Sequence, residues 1–127
     1  MIVDYELMTL SATTSSGASA TSTGTYNGFL HAVRYTIATN STDRLSTGGR
    51  LTLTGDRTGF ALFILEDLGS TADGLYFPRM VTVLSTDAVT ASTGSAMPPV
   101  FNERLTASIS SGSTGGTKTG TLGLYFV

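Results

Sequence analysis

The stretch Phe29-Leu30-His31-Ala32-Val33-Arg34-Tyr35-Thr36-Ile37 constrains the fold more than any other. Its residues alternate in the two-residue period of a pleated strand, with Phe29, His31, Val33, Tyr35 and Ile37 on one face and Leu30, Ala32, Arg34 and Thr36 on the other. No segment shows a competing helical period. With 23 Thr and 15 Ser among 127 residues, the composition favours extended backbone and turns over helix. The chain is therefore read as a sheet protein.

Other segments repeat the pattern. At the start, Val3, Tyr5 and Leu7 alternate with Asp4, Glu6 and Met8, which predicts a strand whose wet face carries the two acids. Residues 15–25 are nearly all Ser, Thr, Ala and Gly, and are expected to form a loop or an extended edge. Arg50 to Gly55 alternates, Asp56 to Gly59 turns, and Phe60 to Leu65 is apolar on both faces, which predicts a hairpin whose second strand is central and doubly buried. Leu75 to Leu84 is strand material interrupted by Pro78, so the interruption is expected at an edge or a bulge. Residues 86–94 read as a loop, Met97 to Val100 as a segment near polyproline geometry, and Glu103 to Ile109 and Lys118 to Val127 as strands. About seven or eight strands at this spacing predict an antiparallel β-sandwich, jelly-roll-like, with a small barrel as the rival. A length of 127 residues suits a single domain spanning 1–127, in which 1–25 is an added strand or arm.

Composition narrows the function. Charged residues are only 13% of the chain, so the polar surface is mostly hydroxyl and glycine. Such a surface gains little from mutual repulsion and suits contact with a partner or with sister copies, as a homo-dimer or homo-trimer. The net charge is −2, and one lysine with six scattered arginines makes no basic stripe, which argues against nucleic acid as a partner. Absence of cysteine removes thiol nucleophiles, disulfides and zinc thiolates, and suits folding in a reducing cytoplasm. The opening residues lack the basic and apolar regions of a secretory leader. The longest apolar run, Phe60 to Leu65, is far short of the roughly twenty residues of a membrane helix. No membrane partner and no cofactor are expected.

Reactive constellations are sparse. His31 is the only histidine and reads as structural. No Gly-x-Ser-x-Gly elbow accompanies the many serines, so no catalytic residue is assigned and the chain is not read as an enzyme. Glu66, Asp67 and Asp73 could gather around calcium, yet they lack the i, i+2, i+4 spacing of a loop site and read as solvated turn acids; no metal is assigned. Asp4 and Glu6 could act as an acid–base pair, but read as charges that guard an exposed edge. The run Ser111 to Gly116 lacks a Walker-spaced lysine and a following helix. Tyr76 and Phe77 could offer a sugar an aromatic platform.

The candidate site residues are those suited to meeting another protein. Tyr76, Phe77, Pro78 and Arg79 set two aromatics, a fixed φ and a guanidinium in a row, the residue types enriched at interfaces. The alternative is an edge bulge with Arg79 paired to an acid. Met97, Pro98 and Pro99, leading to Phe101, form a second apolar segment with a preset backbone, and Tyr5 and Leu7 lie on the first strand.

The succession Tyr26-Asn27-Gly28-Phe29-Leu30-His31-Ala32-Val33-Arg34-Tyr35, Leu51-Thr52-Leu53-Thr54, Tyr76-Phe77-Pro78-Arg79, Glu103 to Ile109 and Lys118-Thr119-Gly120-Thr121-Leu122 resembles small all-β virion proteins of tailed bacteriophages. The resemblance covers 26–127 and is one of pattern. It implies a structural virion protein, foremost a capsid decoration or cement protein that binds the outside of the shell through the major capsid protein and stabilises it. A tail- or fibre-associated receptor- or carbohydrate-binding module is the alternative. Either implies location in the virion after synthesis in the host cytoplasm.

Overall fold

A computed structural model describes residues 4–13, 18–70, 73–83, 90–113 and 115–127, with side chains left aside at 80–83 and 90–95. Eleven strands follow in order: β1 Asp4–Ala12, β2 Ala18–Thr21, β3 Tyr26–Ile37, β4 Arg50–Gly55, β5 Ala61–Leu65, β6 Gly74–Tyr76, β7 Met80–Val83, β8 Thr90–Ala96, β9 Pro99–Glu103, β10 Leu105–Ser110 and β11 Lys118–Phe126. One 3-10 turn, Ser41–Asp43, is the only helical element among the described residues. No helix there is long and apolar enough to cross a membrane.

Two antiparallel sheets pack face to face as a β-sandwich. The first runs β1-β11-β3-β6, with β9 also on β3; the second runs β2-β10-β4-β5; β7 and β8 form a separate hairpin. Successive strands alternate between the two main sheets, β1 to β2, β3 to β4, β5 to β6 and β10 to β11, so the chain repeatedly crosses the core. Rows of inward residues explain why. Met8, Leu122 and Tyr35 oppose one another across the first sheet, and Ala107, Leu53 and Phe63 across the second. Both rows belong to one apolar core that also takes in Leu10, Leu105 and Leu124.

Several expectations need correction. On β1 the phase is the reverse of the expected one: Met8, Leu10 and Ala12 are buried, while Tyr5 and Leu7 face outward. Glu6, expected on the wet face, lies with the buried set. It accepts hydrogen bonds from Tyr26 Oη at 2.5 Å and from the Thr23 and Gly24 backbone, so its polarity is satisfied at the rim of the core. Burial, and then the bond to Glu6, raises the Tyr26 phenol well above its usual range. Residues 1–3 lie outside the described residues; β1 pairs with β11 over nine residues as a strand of the first sheet.

The alternation of β3 holds only in halves. Phe126 pairs with Leu30 and Tyr125 with Ala32, so His31 is an extra residue, a β-bulge that shifts the phase by one. Val33 and Tyr35 therefore face the core, as does Leu30 on the other side of the bulge, while Phe29 and His31 turn out. β5 is an edge strand, with Ile64 exposed, because β4 alone pairs with it. The segment expected as a loop over 86–94 is strand from Thr90, and 84–89 lie outside the described residues.

Two loop leucines also close the core. Leu45 and Leu68 lie in the connections between β3 and β4 and between β5 and β6, yet both are buried. Leu68 is fixed by its N–H to Gly49 O, and its own carbonyl accepts the Tyr35 hydroxyl at 3.1 Å.

Candidate interaction surface

Strand register lays out the outer face of the first sheet in rows. Tyr5, Tyr125 and Ala32 oppose one another in one, Leu7, Gly123, Arg34 and Leu75 in the next, and Thr9, Thr121 and Thr36 in a third. Antiparallel partners point to the same side, so each row is a surface stripe. Two of the three carry apolar side chains into solvent: Leu7 is 59% exposed, and Tyr5 and Leu75 nearly half. Phe77, just past β6, is 53% exposed and meets the His31 ring edge-on at 5.5 Å. The bulge in β3 is what brings His31 out to meet it.

Gly123 makes room for this arrangement. A Cβ there would lie 3.2 Å from the Tyr5 ring and press it outward by a few tenths of an ångström; that ring lies over the glycine and packs on Tyr125 at 4.8 Å between centroids. Between Tyr125 and Phe77 lies a shallow depression of about 280 Å³, lined also by His31, Ala32, Arg34 and Leu75. Further along β3, Phe29 and Phe101 are exposed beside Asn27 and Pro99, and Phe101 lies 6.5 Å from Phe60.

The second sheet presents a different surface. Its outward rows read Thr21, Thr106 and Thr54, then Ser19, Ser108 and Thr52, closing on Ile64. Thr21 and Thr106 hydroxyls bond each other at 3.1 Å. One outer face is hydroxyl-rich and suited to water; the other is half aromatic.

The expected site residues separate accordingly. Tyr5, Leu7 and Phe77 share the aromatic face. Tyr76 does not: it opposes Val33 on the inner side of β6 and packs on Phe63 at 5.5 Å. The aromatic pair that could have offered a sugar platform is thus split by the strand's own alternation. Arg79 is paired with carbonyls and, among the described residues, not with an acid. Its Nη1 donates to His31 O at 3.2 Å and Pro78 O at 2.6 Å, filling the gap on β3 between β6 and β9. Pro78 falls between β6 and β7. Met97 is half-buried, Pro98 is buried and its carbonyl accepts the Leu30 N–H at 2.9 Å, and Pro99 opens β9, so this segment is built into the sheet edge.

Other candidates have structural partners. Glu66 lies 3.6 Å from Arg50, Asp73 accepts the Ile37 N–H at 2.9 Å, and Asp4 accepts its neighbour's N–H. Among the described residues, no three of His, Asp and Glu gather as metal ligands would. Sequence reasoning missed Glu103, which is only 3% exposed. It accepts the backbone N–H groups of Arg57, Thr58 and Phe101, tying the β4–β5 turn to β9. Its signal was a lone acid at the end of an alternating strand, beside Gly55, whose missing side chain leaves space for the carboxylate.

No protein-family model, curated protein or solved structure matches this chain.

Proposed function

We propose that this chain is a structural protein of a tailed-bacteriophage virion, a decoration or cement protein that docks on the outer capsid surface through the aromatic face of its first sheet. The observation that supports this most directly is the inequality of the two outer faces. Tyr5, Leu7, Leu75 and Phe77 are exposed on one sheet, while the other shows rows of Ser and Thr broken only by Arg50 and Ile64 among the described residues. A contiguous apolar patch on a small domain marks a place where another molecule sits. The repeated crossing of the chain between a five-stranded and a four-stranded sheet supports a jelly-roll-like winding in this reading.

The partner in this reading is the major capsid protein. Sister copies, as a dimer or trimer, add avidity because many identical weak contacts act together on one shell. The alternative, a tail- or fibre-associated receptor- or carbohydrate-binding module, is weakened by the inward turn of Tyr76, which leaves Phe77 without its expected aromatic neighbour.

The test is to mix the purified chain with heads of the encoding phage assembled without it. Co-sedimentation and a higher thermal rupture temperature of the heads are expected. Failure to sediment with heads, together with binding to host-surface glycans, would transfer the chain to the alternative.

A further inference from the structure

We infer that the molecule covering the aromatic face is a different protein, and that it brings an Asp or Glu carboxylate onto Arg34, next to an apolar side chain seated between Phe77 and Tyr125. This rests on the docking reading above and specifies its chemistry. Among the described residues Arg34 is the one formal charge in the apolar half of the face, set between Gly123 and Leu75, with Leu7 beyond. It is exposed, and among the described residues no carboxylate lies within ion-pair distance of it. Covering the surrounding Tyr5, Leu7, Leu75 and Phe77 strips water from the guanidinium. A charge desolvated in that way is tolerated only if the covering surface supplies a counter-charge. A carboxylate fits best, because it can accept two parallel N–H bonds from the planar group.

The neighbouring depression of about 280 Å³ has apolar walls and room for one side chain. Its polar side chains are His31, Arg34 and Tyr125, too few to satisfy the hydroxyls around a sugar ring, and the apolar surface continues past it to Tyr5 and Leu7. That extent suits a protein segment. A second copy of this chain applied by the same face would bring another Arg34 against the first. Asp73, at the margin of the face, already accepts the Ile37 N–H. Like charges in apolar surroundings oppose such a pairing.

The experiment measures binding of the full-length chain to heads lacking it, by co-sedimentation at low and high NaCl, with circular dichroism and melting as fold controls. Arg34→Ala is expected to weaken binding at least tenfold and Arg34→Glu to abolish it. Arg34→Lys should recover only part, while Arg104→Ala on another exposed arginine stays within twofold of wild type. Salt should weaken wild type more than Arg34→Ala. If wild type binds and Arg34→Ala binds equally well, the carboxylate contact is refuted while the docking reading stands. If wild type does not bind heads, both fall. A wild-type dimer that Leu7→Glu splits would place a second copy on the face. Arg34-dependent binding of a soluble glucuronate oligosaccharide would place an acidic sugar there. Either result overturns the inference.

Discussion

Exchange of Glu103 for glutamine preserves shape and removes charge at the most buried acid among the described residues. Glu103 is 3% exposed. Its Oε1 accepts Arg57 N at 2.8 Å and Thr58 N at 3.0 Å, and its Oε2 accepts Phe101 N at 3.0 Å. Burial by itself raises the carboxyl pKa, but the donors from Phe101, Thr58 and Arg57 outweigh it and hold the group below its usual value of 4.5. In glutamine one oxygen remains an acceptor, while the new NH2 group confronts an N–H donor. One hydrogen bond to a charged acceptor is lost, about 1.5–3 kcal/mol, and the remaining ones fall to the strength of neutral bonds, about 1 kcal/mol each. The net loss is about 3 kcal/mol, or roughly 10 °C in Tm for a chain of this size. Thermal and urea unfolding at pH 7 measure it.

The pH dependence supplies a second check. Because the folded pKa is depressed, the carboxylate's contribution is complete above 4.5 and is lost as pH falls through the folded value. The gap between wild type and Glu103→Gln should therefore shrink in acid. Equal melting at pH 7, or a gap unchanged in acid, would show that these three bonds do not hold the β4–β5 turn.

Gly55→Ala places a methyl group against the same carboxylate, so it should destabilise the wild type by about 1–3 kcal/mol but cost less in a Glu103→Ala background, measured by urea unfolding. Tyr35→Phe removes the hydroxyl that donates to Leu68 O and should cost about 1–2 kcal/mol. Burial, with Asp73 and Tyr76 nearby, pushes the Tyr35 phenol up to about 12. The stability this phenol confers is intact below pH 10 and lost as pH rises towards 12, so Tyr35→Phe should flatten that alkaline limb in melting experiments. Phe77→Ser should leave Tm within a few degrees while weakening head binding, whereas Tyr76→Ser, one residue away, should lower Tm clearly through loss of its packing on Phe63. Deleting residues 1–13 removes Met8, Leu10 and Ala12 from the core, at about 2–5 kcal/mol for a buried leucine alone, and should leave a chain unfolded by circular dichroism.

The sheet class was legible because alternation is a local property: β4, β10 and β11 each show it within a few residues. What alternation cannot reveal is its absolute phase. On β1, Tyr5 and Leu7 are as apolar as Met8 and Leu10, so the strand reads plausibly either way up; the choice is made by partners on β11, over a hundred residues away. The His31 bulge is invisible for the same reason, since an extra residue is defined only against Phe126 and Tyr125. β5 looked central because Leu62, Phe63, Ile64 and Leu65 are all apolar, yet an edge strand shows the same run when one face packs on the core and Ile64 reaches solvent. In the candidate site, Phe77 was singled out only as one of a run of interface-type residues with Tyr76, Pro78 and Arg79, and Tyr5 and Leu7 were named although their strand reads the other way up. Arg34 was not, because a lone arginine in an alternating strand looks like any solvated position.

The core of the sandwich is built from the inward rows together with the loop residues Leu45 and Leu68. Leu10, Leu30, Leu53, Leu105, Leu122 and Leu124 supply the rows, and none of Tyr5, Leu7, Leu75 or Phe77 adds to that packing. On the second sheet the outward positions of β2, β10 and β4 are mostly Thr and Ser, with Arg50 at one end and Ile64 on β5, and the Thr21 and Thr106 hydroxyls bond each other. The first sheet shows that this solution was open to it, since Thr9, Thr121 and Thr36 use it within the same three strands. The switch from threonine to aromatic and leucine thus occurs inside one face, along strands whose inner sides do not change character. A free protein gains nothing from that switch and becomes more prone to aggregate. A protein whose apolar half-face is covered by a partner gains contact area where the partner sits and keeps hydroxyls where it does not.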